Sequence, residues 1–368
     1  MKKRSTKSIN LKRAYVMKIY QKFLLKKYFK NFLILFLALE LFFTGIDLMQ
    51  NFKSLPDSAN LQVIYTIYKF LGFIQYTLPL SLVFAMTNTI FALIKSSELV
   101  ALYALGISKT DLIKPILYMS MTITLLYILL GFSDTIKAND RADNIKKFGT
   151  PSITTQNLFI KSDNNYISIK ELFPYQKKAN NFKIFKTNKS ELKEIIEAKS
   201  ATFKDNIWQL NSVTQTIKSD EKLIIKHLPS YKALKDFNPQ VLNNLFKGTG
   251  QLTIQNSIKS ILLLSKDKID SNKIRAHLYS MIIFPLFAPI VIFGLFFPMP
   301  LQRRGSNISL LSSIYVFAVL LIWGIIFTMS KIAQNGAISP EMGIVLPLVL
   351  LLVVSIVIFQ KHKTIKEH

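Results

Sequence analysis

The sequence contains no cysteine, and it has only six arginines and four histidines among its 368 residues. The absence of cysteine excludes disulfides, thiolate metal sites and iron–sulfur clusters. The histidines lie far apart, and none has the HxxH or HExxH spacing of a metal-binding helix, so we expect no metal and no other cofactor. Arginine is the residue that reads phosphate and guanine bidentately, and its scarcity argues against nucleic acid as a partner despite the net charge of +26.

Nucleotide-binding and hydrolase signatures are also missing from the sequence. There is no GxxxxGK[ST] phosphate loop, no GxSxG nucleophile elbow, and no acid or histidine cluster that suggests a catalytic pair. We therefore expect that the chain is not itself an enzyme.

Half of the residues are hydrophobic, which is unusual for a soluble basic protein. A helix needs about 20 mainly apolar residues to cross a bilayer. Six stretches qualify, and we expect Pro79 to break the second of them. They cover residues 31–49, 65–94, 112–132, 278–297, 308–329 and 342–359.

The charge of the flanking segments predicts the orientation of these crossings. Residues 1–30 carry eleven lysines or arginines and no acid, which favours a cytoplasmic N-terminus. Six crossings return the C-terminus to the same side. This agrees with the basic pair Arg303 and Arg304, which lies between crossings four and five and is also expected in the cytoplasm. We expect an N-terminal membrane half over 1–132, an extracytoplasmic domain over 133–273, and a C-terminal membrane half over 274–368.

The segment 133–273 shows strand-like patterns, with apolar residues alternating at Ile167 and Ile169. Turn-forming residues such as Asp205-Asn206 separate the strands. A segment of helical period near 254–265 predicts an amphipathic linker. The expected fold is an α-helical membrane protein with six transmembrane helices and an all-β, jelly-roll-like domain between helices 3 and 4.

The connection between crossings two and three, SSELVALYALGISKTDL, predicts a short cytoplasmic helix over about 97–105. Ser96 or Ser97 can cap its start, and Gly106 can end it. The helix has almost no polar face, so its apolar side chains are expected to be exposed and to dock. From periodicity alone, the membrane and a separate protein are equally good docking partners. The apolar side chains are Leu99, Val100, Leu102 and Tyr103.

This helix, with the preceding LPLSLVFAMTNTIFALIK, resembles the coupling helix of the lipopolysaccharide-export permeases, the LptF/LptG family. The six-crossing layout with a large insertion after the third crossing is similar as well. The segments TTQNLFIKSDNNYISIKEL and FKDNIWQLNSV resemble the LptG branch more than the LptF branch.

The resemblance implies an inner-membrane permease subunit of an ABC transporter that extracts lipopolysaccharide. Its implied partners are a paralogous LptF-type permease, a cytoplasmic LptB-type ATPase dimer, and periplasmic proteins of the LptC and LptA types. By the same resemblance, Glu98 would pair with a basic residue of the ATPase, and the four apolar residues of the helix would fill the ATPase groove.

Two acids in the first crossing and one lysine just beyond it are further candidate site residues. Glu40 and Asp47 are seven residues apart, so they share a helix face that looks into a protein cavity or towards Lys69; a structural acid–lysine pair is the alternative. The resemblance aligns Lys53 with lysines that contact lipid phosphates.

In crossing five, Val316, Leu320 and Trp323 are spaced by four and three residues and therefore share a face. The resemblance places this face at a lateral gate for the lipid. The alternative is packing inside the six-helix body.

Three other classes of protein remain as alternatives. A lipoprotein-release or efflux permease usually has four crossings, with its insertion after the first. A membrane sensor with an extracytoplasmic β-domain would need a cytoplasmic output domain, whereas only short loops are present. A membrane-bound transferase is disfavoured because no acid or histidine cluster lies at a membrane face.

Overall fold

A computed structural model describes residues 19–151, 155–162, 165–173, 176–188, 191–219, 222–234, 239, 252–266, 271–300 and 307–364. The basic segment before residue 19 and the pair Arg303–Arg304, both used above to predict orientation, lie outside these residues.

Six helices of the described chain are long and apolar enough to cross a membrane, as predicted. Helix α2 continues through Pro79 instead of breaking there, although proline cannot donate to the carbonyl of Gln75. The bounds are α1 Ile19–Asn51, α2 Ala59–Lys95, α4 Lys109–Leu130, α7 Asn272–Ile282 continued by α8 Phe287–Phe296, α9 Ile308–Gln334, and α10 Leu346–Thr364 after a π-turn at Glu341–Val345.

The described residues also form three shorter α-helices: α3 Glu98–Ala104, α5 Ala138–Phe148 and α6 Ile254–Lys266. The last of these is the predicted amphipathic linker. The chain divides into two compact units. The first contains residues 1–46, 73–133 and 278–368, and the second contains residues 47–72 and 134–277.

Burial differs sharply among the helices of the first unit. The most apolar stretch of α2 is 83 % buried, whereas those of α1 and α9 are 17 % and 11 % buried. Helix α8 meets α10 closely, because a Cβ on Gly294 would lie 2.4 Å from the Ser355 hydroxyl. Small residues of this kind let membrane helices approach each other. The faces of α1 and α9 are therefore available for lipid or for another protein.

The second unit contains a six-stranded antiparallel sheet in the order β1-β2-β3-β4-β5-β6. The all-β domain between the third and fourth crossings is confirmed, and its described strands pair in sequence order as a meander. Asp205 and Asn206 both have positive φ and form the predicted tight turn between β4 and β5. The strands are β1 Thr155–Ser162, β2 Asn165–Phe173, β3 Lys178–Asn188, β4 Glu191–Lys204, β5 Ile207–Ser219 and β6 Lys222–Ala233.

The sheet is strongly curved. The Nζ of Lys186 on β3 donates to the Oη of Tyr231 on β6 at 3.2 Å, although these two strands are not neighbours. The buried core lies on the inner face around Phe182 and Trp208, whose ring centroids are 5.4 Å apart. The curvature lets a meander enclose an apolar core without a second sheet.

One row across the sheet breaks the alternation of buried and outward residues. Elsewhere in these strands, every second residue points inward to the core. In this row, each of the four central strands instead has two consecutive outward residues, which pair with one another across the sheet. Asn181 and Ser212 in this row have φ of 50° and 52°, and the pairing register is the same on both sides of it. We call these outward pairs the polar seam: Lys170-Glu171, Asn180-Asn181, Lys199-Ser200 and Asn211-Ser212.

Candidate functional site

Helix α3 lies between α2 and α4 and is bounded by two backbone irregularities. Ser97 precedes it with φ of 59° and gives no side-chain cap, while Ser96 donates back to the carbonyl of Ala92 at 3.0 Å. The predicted serine cap is therefore wrong, because the left-handed turn at Ser97 directs its hydroxyl away from the helix amides. Gly106, with φ of 77°, ends the helix as predicted.

The carboxylate of Glu98 accepts from the Nζ of Lys27 on α1 at 2.8 Å. The two side chains remain 41 % and 28 % exposed, respectively. The hydrogen bond from Lys27 is the main reason that the pKa of Glu98 is lowered from its ordinary value, so this carboxylate stays ionised at neutral pH. Sequence analysis missed Lys27, because a contact across 71 residues leaves no local pattern.

The apolar residues of α3 do not all face outward. Leu99 is only 2 % exposed, so the prediction that its side chain is exposed is wrong. Val100 is 42 % exposed, and Leu105, which the prediction omitted, is 77 % exposed. The helix presents one side to solvent and anchors itself with Leu99, as expected when seven residues must pack against a larger body.

The other two predicted docking residues are intermediate. Leu102 and Tyr103 are both half-buried. Burial raises the pKa of Tyr103, so its phenol stays protonated. The exposed surface of α3 and of Leu105 just after it contains Val100, Ala101, Ala104 and Leu105, with the partly exposed Glu98, Leu102 and Tyr103 at its edges.

Glu40 is completely buried in the first unit, and its Oε1 accepts from the hydroxyl of Thr77 on α2. Its other carboxyl oxygen has no hydrogen-bond partner among the described residues. Glu40 thus faces the interior of the first unit, because α2 covers this part of the α1 face, and its role as a lipid contact stays a prediction.

Asp47 lies in the second unit and has the structural role that was kept as an alternative. The Oη of Tyr65 donates to its carboxylate at 2.5 Å, and the Nζ of Lys69 lies 3.9 Å away. Lys69 also pairs with Asp143 of α5 at 2.9 Å. Asp47 and Lys69 are 16 % and 13 % exposed, so the network is largely enclosed.

Lys53 lies in the short 3₁₀ turn Phe52–Ser54 and is exposed. Within the described ranges it forms no ion pair. Lys146 of α5 donates to the Oδ1 of Asn51 at 2.5 Å, which places a second lysine near this turn. The turn therefore offers positive charge that no acid of the described chain neutralises.

The predicted face of α9 divides into two parts. Leu320 is 43 % exposed, and Val316 is half-buried. Trp323 stacks on Phe327 with ring centroids 4.9 Å apart, and its Nε1 is buried without a partner among the described residues. Leu320 is thus exposed, whereas Trp323 is half-buried and belongs to an aromatic stack.

This stack continues to a lysine that sequence analysis also missed. The ring of Phe327 meets that of Tyr76 edge-on at 5.2 Å, and the Nζ of Lys331 donates to the Oη of Tyr76 at 3.0 Å. The ammonium also lies over both rings. Lys331 is therefore held by aromatic faces and a phenol within the membrane unit.

The outermost strand β6 carries three consecutive exposed apolar residues. Leu223, Ile224 and Ile225 are 69 %, 45 % and 61 % exposed. An edge strand of this kind presents both free backbone groups and apolar side chains to another strand.

The model of one protein family matches residues 22–361, and this family is described as lipopolysaccharide export system permease LptF/LptG. A search of curated proteins finds no match.

Proposed function

Because the chain belongs to the LptF/LptG family of lipopolysaccharide export permeases, we propose that it extracts lipopolysaccharide from the inner membrane as one permease subunit of an ABC transporter. Members of this family are permease components of a transporter and multi-pass inner-membrane proteins. ATP hydrolysis is therefore assigned to a partner ATPase dimer of the LptB type, which contacts α3.

The observation that carries this proposal is the exposed surface of α3. A short helix between two membrane crossings carries the ionised carboxylate of Glu98, and Val100 and Leu105 are exposed on or just after the same helix. A charge-assisted contact surrounded by apolar area is a typical hot spot of protein interfaces. We propose that Glu98 exchanges its contact with Lys27 for a basic residue of the ATPase.

The remaining partners follow from the exposed surfaces. The open faces of α1 and α9 would contact a paralogous LptF-type permease and enclose lipid between the two proteins. The exposed edge β6 would pair with a strand of an LptC-type or LptA-type periplasmic protein. The resemblance of the β-domain segments supports assignment to the LptG branch.

Co-purification of the ATPase from mild detergent tests the docking role. We expect Glu98→Gln and Glu98→Lys to lower ATPase recovery by about tenfold or more, since hydrogen bonds to charged groups contribute about 1.5–3 kcal/mol. Lys27→Gln is the matched control, because it removes the same ion pair but leaves the carboxylate for the ATPase. Equal losses in both variants would show that only the Lys27–Glu98 pair matters.

We also propose that both termini are cytoplasmic and that the β-domain is periplasmic, on the basis of the eleven basic residues before position 31. In this cysteine-free chain, Ser230→Cys on β6 should react with an impermeant maleimide in outer-permeabilised cells. Lys361→Cys at the end of α10 should react only after lysis. The opposite pattern would reverse the orientation.

A further inference from the structure

The polar seam opens into a hollow on the outward face of the sheet. Its volume is about 580 Å³, within the range of about 300–1,000 Å³ that is usual for ligand sites. Strands β2, β3, β4 and β5 all contribute to its lining. Each outward pair contributes one residue to this lining, namely Lys170, Asn181, Lys199 and Ser212.

The hollow is positively charged. Lys170, Lys183 and Lys199 line it, together with one acid, Glu197. Glu197 pairs with Lys183 at 2.7 Å. In the part of the chain that the structure describes, Lys170 and Lys199 form no ion pair with any carboxylate.

Neutral hydrogen-bonding groups, including the hydroxyl of Ser168, also line the hollow. Asn181, Ser212 and Thr214 supply an amide and two hydroxyls beside the lysines. Among the residues that line the hollow, Asn181 and Ser212 are the two with positive φ, a conformation that costs free energy for residues other than glycine. The fold thus tolerates strained backbone at the two points where these side chains enter the hollow.

We infer that the polar seam binds a phosphorylated saccharide. Lysine ammonium groups suit phosphate as compact point charges, and the amide and hydroxyls suit sugar hydroxyls. Apart from Phe182 and Ala198, whose side chains are buried in the core, the lining side chains belong to the outward face, so the site would hold a polar headgroup and not acyl chains. The choice of saccharide rests on the proposed function, whereas recognition of an anion rests on the hollow alone.

Saturation-transfer NMR on the full-length permease in lipid nanodiscs tests this inference. The probe is the deacylated, phosphorylated core saccharide of lipopolysaccharide, compared with the same saccharide after phosphatase treatment and with inorganic phosphate as a competitor. The intact lipid forms a fourth sample and shows whether a lipid-borne headgroup reaches the same site. We expect the Lys170→Gln/Lys199→Gln variant to bind the phosphorylated saccharide about tenfold more weakly, because each exposed charge contact contributes a few-fold.

The matched control is Lys193→Gln/Lys226→Gln, which removes two exposed lysines of the same sheet that do not line the hollow. Unchanged binding by this control supports a specific site, and an equal loss would reduce it to general attraction by a basic domain. Equal binding of the dephosphorylated saccharide would overturn the recognition of phosphate. Full competition by inorganic phosphate at the affinity of the saccharide would overturn the recognition of sugar.

ATPase recovery from the same preparations separates this inference from the proposed function. If the native protein gave no saccharide signal but normal ATPase recovery, the saccharide site at the polar seam would be contradicted and the proposed function would not. Loss of ATPase recovery from the native protein would contradict the proposed function and leave the binding result intact.

Discussion

Helix α1 carries two charged sites that are built in different ways. Near its start, Lys27 forms one ion pair, with Glu98, and lies over the ring of Phe23 at 5.5 Å; both side chains of the ion pair are substantially exposed. Near its end, Asp47 is held by Tyr65 and Lys69, and Lys69 is shared with Asp143. An exposed single pair can exchange its partner at little cost, whereas an enclosed network loses several contacts at once. On this difference we base the proposal that Glu98 serves docking and Asp47 serves structural support.

The largest expected effect contrasts buried and exposed residues of α3. Leu99→Ala should destabilise the helix by about 2–5 kcal/mol, because it leaves a cavity under a fully packed side chain. Val100→Ala should change stability by less than about 0.5 kcal/mol but lower ATPase recovery. Thermal unfolding in detergent, combined with co-purification, measures both. If Val100→Ala destabilised as much as Leu99→Ala, the division of the helix into two sides would be incorrect.

The next effect tests the enclosed network. Asp47→Ala should lower stability by about 2 kcal/mol, because the Tyr65 hydroxyl and Lys69 both lose a charged acceptor. Asp47→Asn is the control, since it retains an acceptor for Tyr65 and should lose less. The midpoint of thermal unfolding followed by tryptophan fluorescence provides the measurement. Unchanged midpoints in both variants would show that Asp47 does not support the fold.

A smaller effect is expected from substitution of Lys53, an exposed lysine that forms no ion pair within the described residues. Lys53→Glu should reduce photocrosslinking of lipid to α1 and impair export, since one lysine near an anionic surface contributes about 1 kcal/mol. Lys53→Arg should be tolerated, and the abundance of the protein should not change in either variant. Normal export by Lys53→Glu would remove the phosphate-contact role of Lys53.

The smallest effect concerns the Lys27–Glu98 pair itself. Lys27→Gln should change stability by no more than about 1 kcal/mol, as for other exposed pairs. The pKa of Glu98 is lower in the folded protein than in the unfolded chain, where it is about 4.3. The carboxylate therefore stabilises the fold above the unfolded pKa, and this contribution is lost only as the pH falls through the folded pKa. Unfolding midpoints should therefore respond to Lys27→Gln equally at about pH 6 and pH 8. A difference between these two pH values would contradict this assignment of charge.

The sequence predicted the six crossings and the β-domain well, because both depend on local patterns. An apolar run of sufficient length identifies a crossing, and alternation with turn residues such as Asp205-Asn206 identifies strands. The polar seam was also readable, since ISIKEL and IWQLNSV each contain an apolar–polar–polar–apolar step.

Long-range contacts could not be predicted in the same way. Nothing near Glu98 in the sequence indicates Lys27, and helical spacing alone could not show that Leu99 is buried or that Trp323 stacks inside the membrane unit. The strand order also depends on long-range pairing, which local alternation does not determine.

The most direct measurement of the docking claim is photocrosslinking from individual positions of α3 in cells. A photoreactive residue at Val100 or Leu105 should crosslink to a protein whose peptides include a nucleotide-binding phosphate loop, whereas the same residue at Leu99 should crosslink only within the permease itself. Mass spectrometry of the crosslinked products identifies the partner. Crosslinks from Val100 and Leu105 to lipid or to the permease alone would contradict the assignment of α3 as the docking surface for the ATPase.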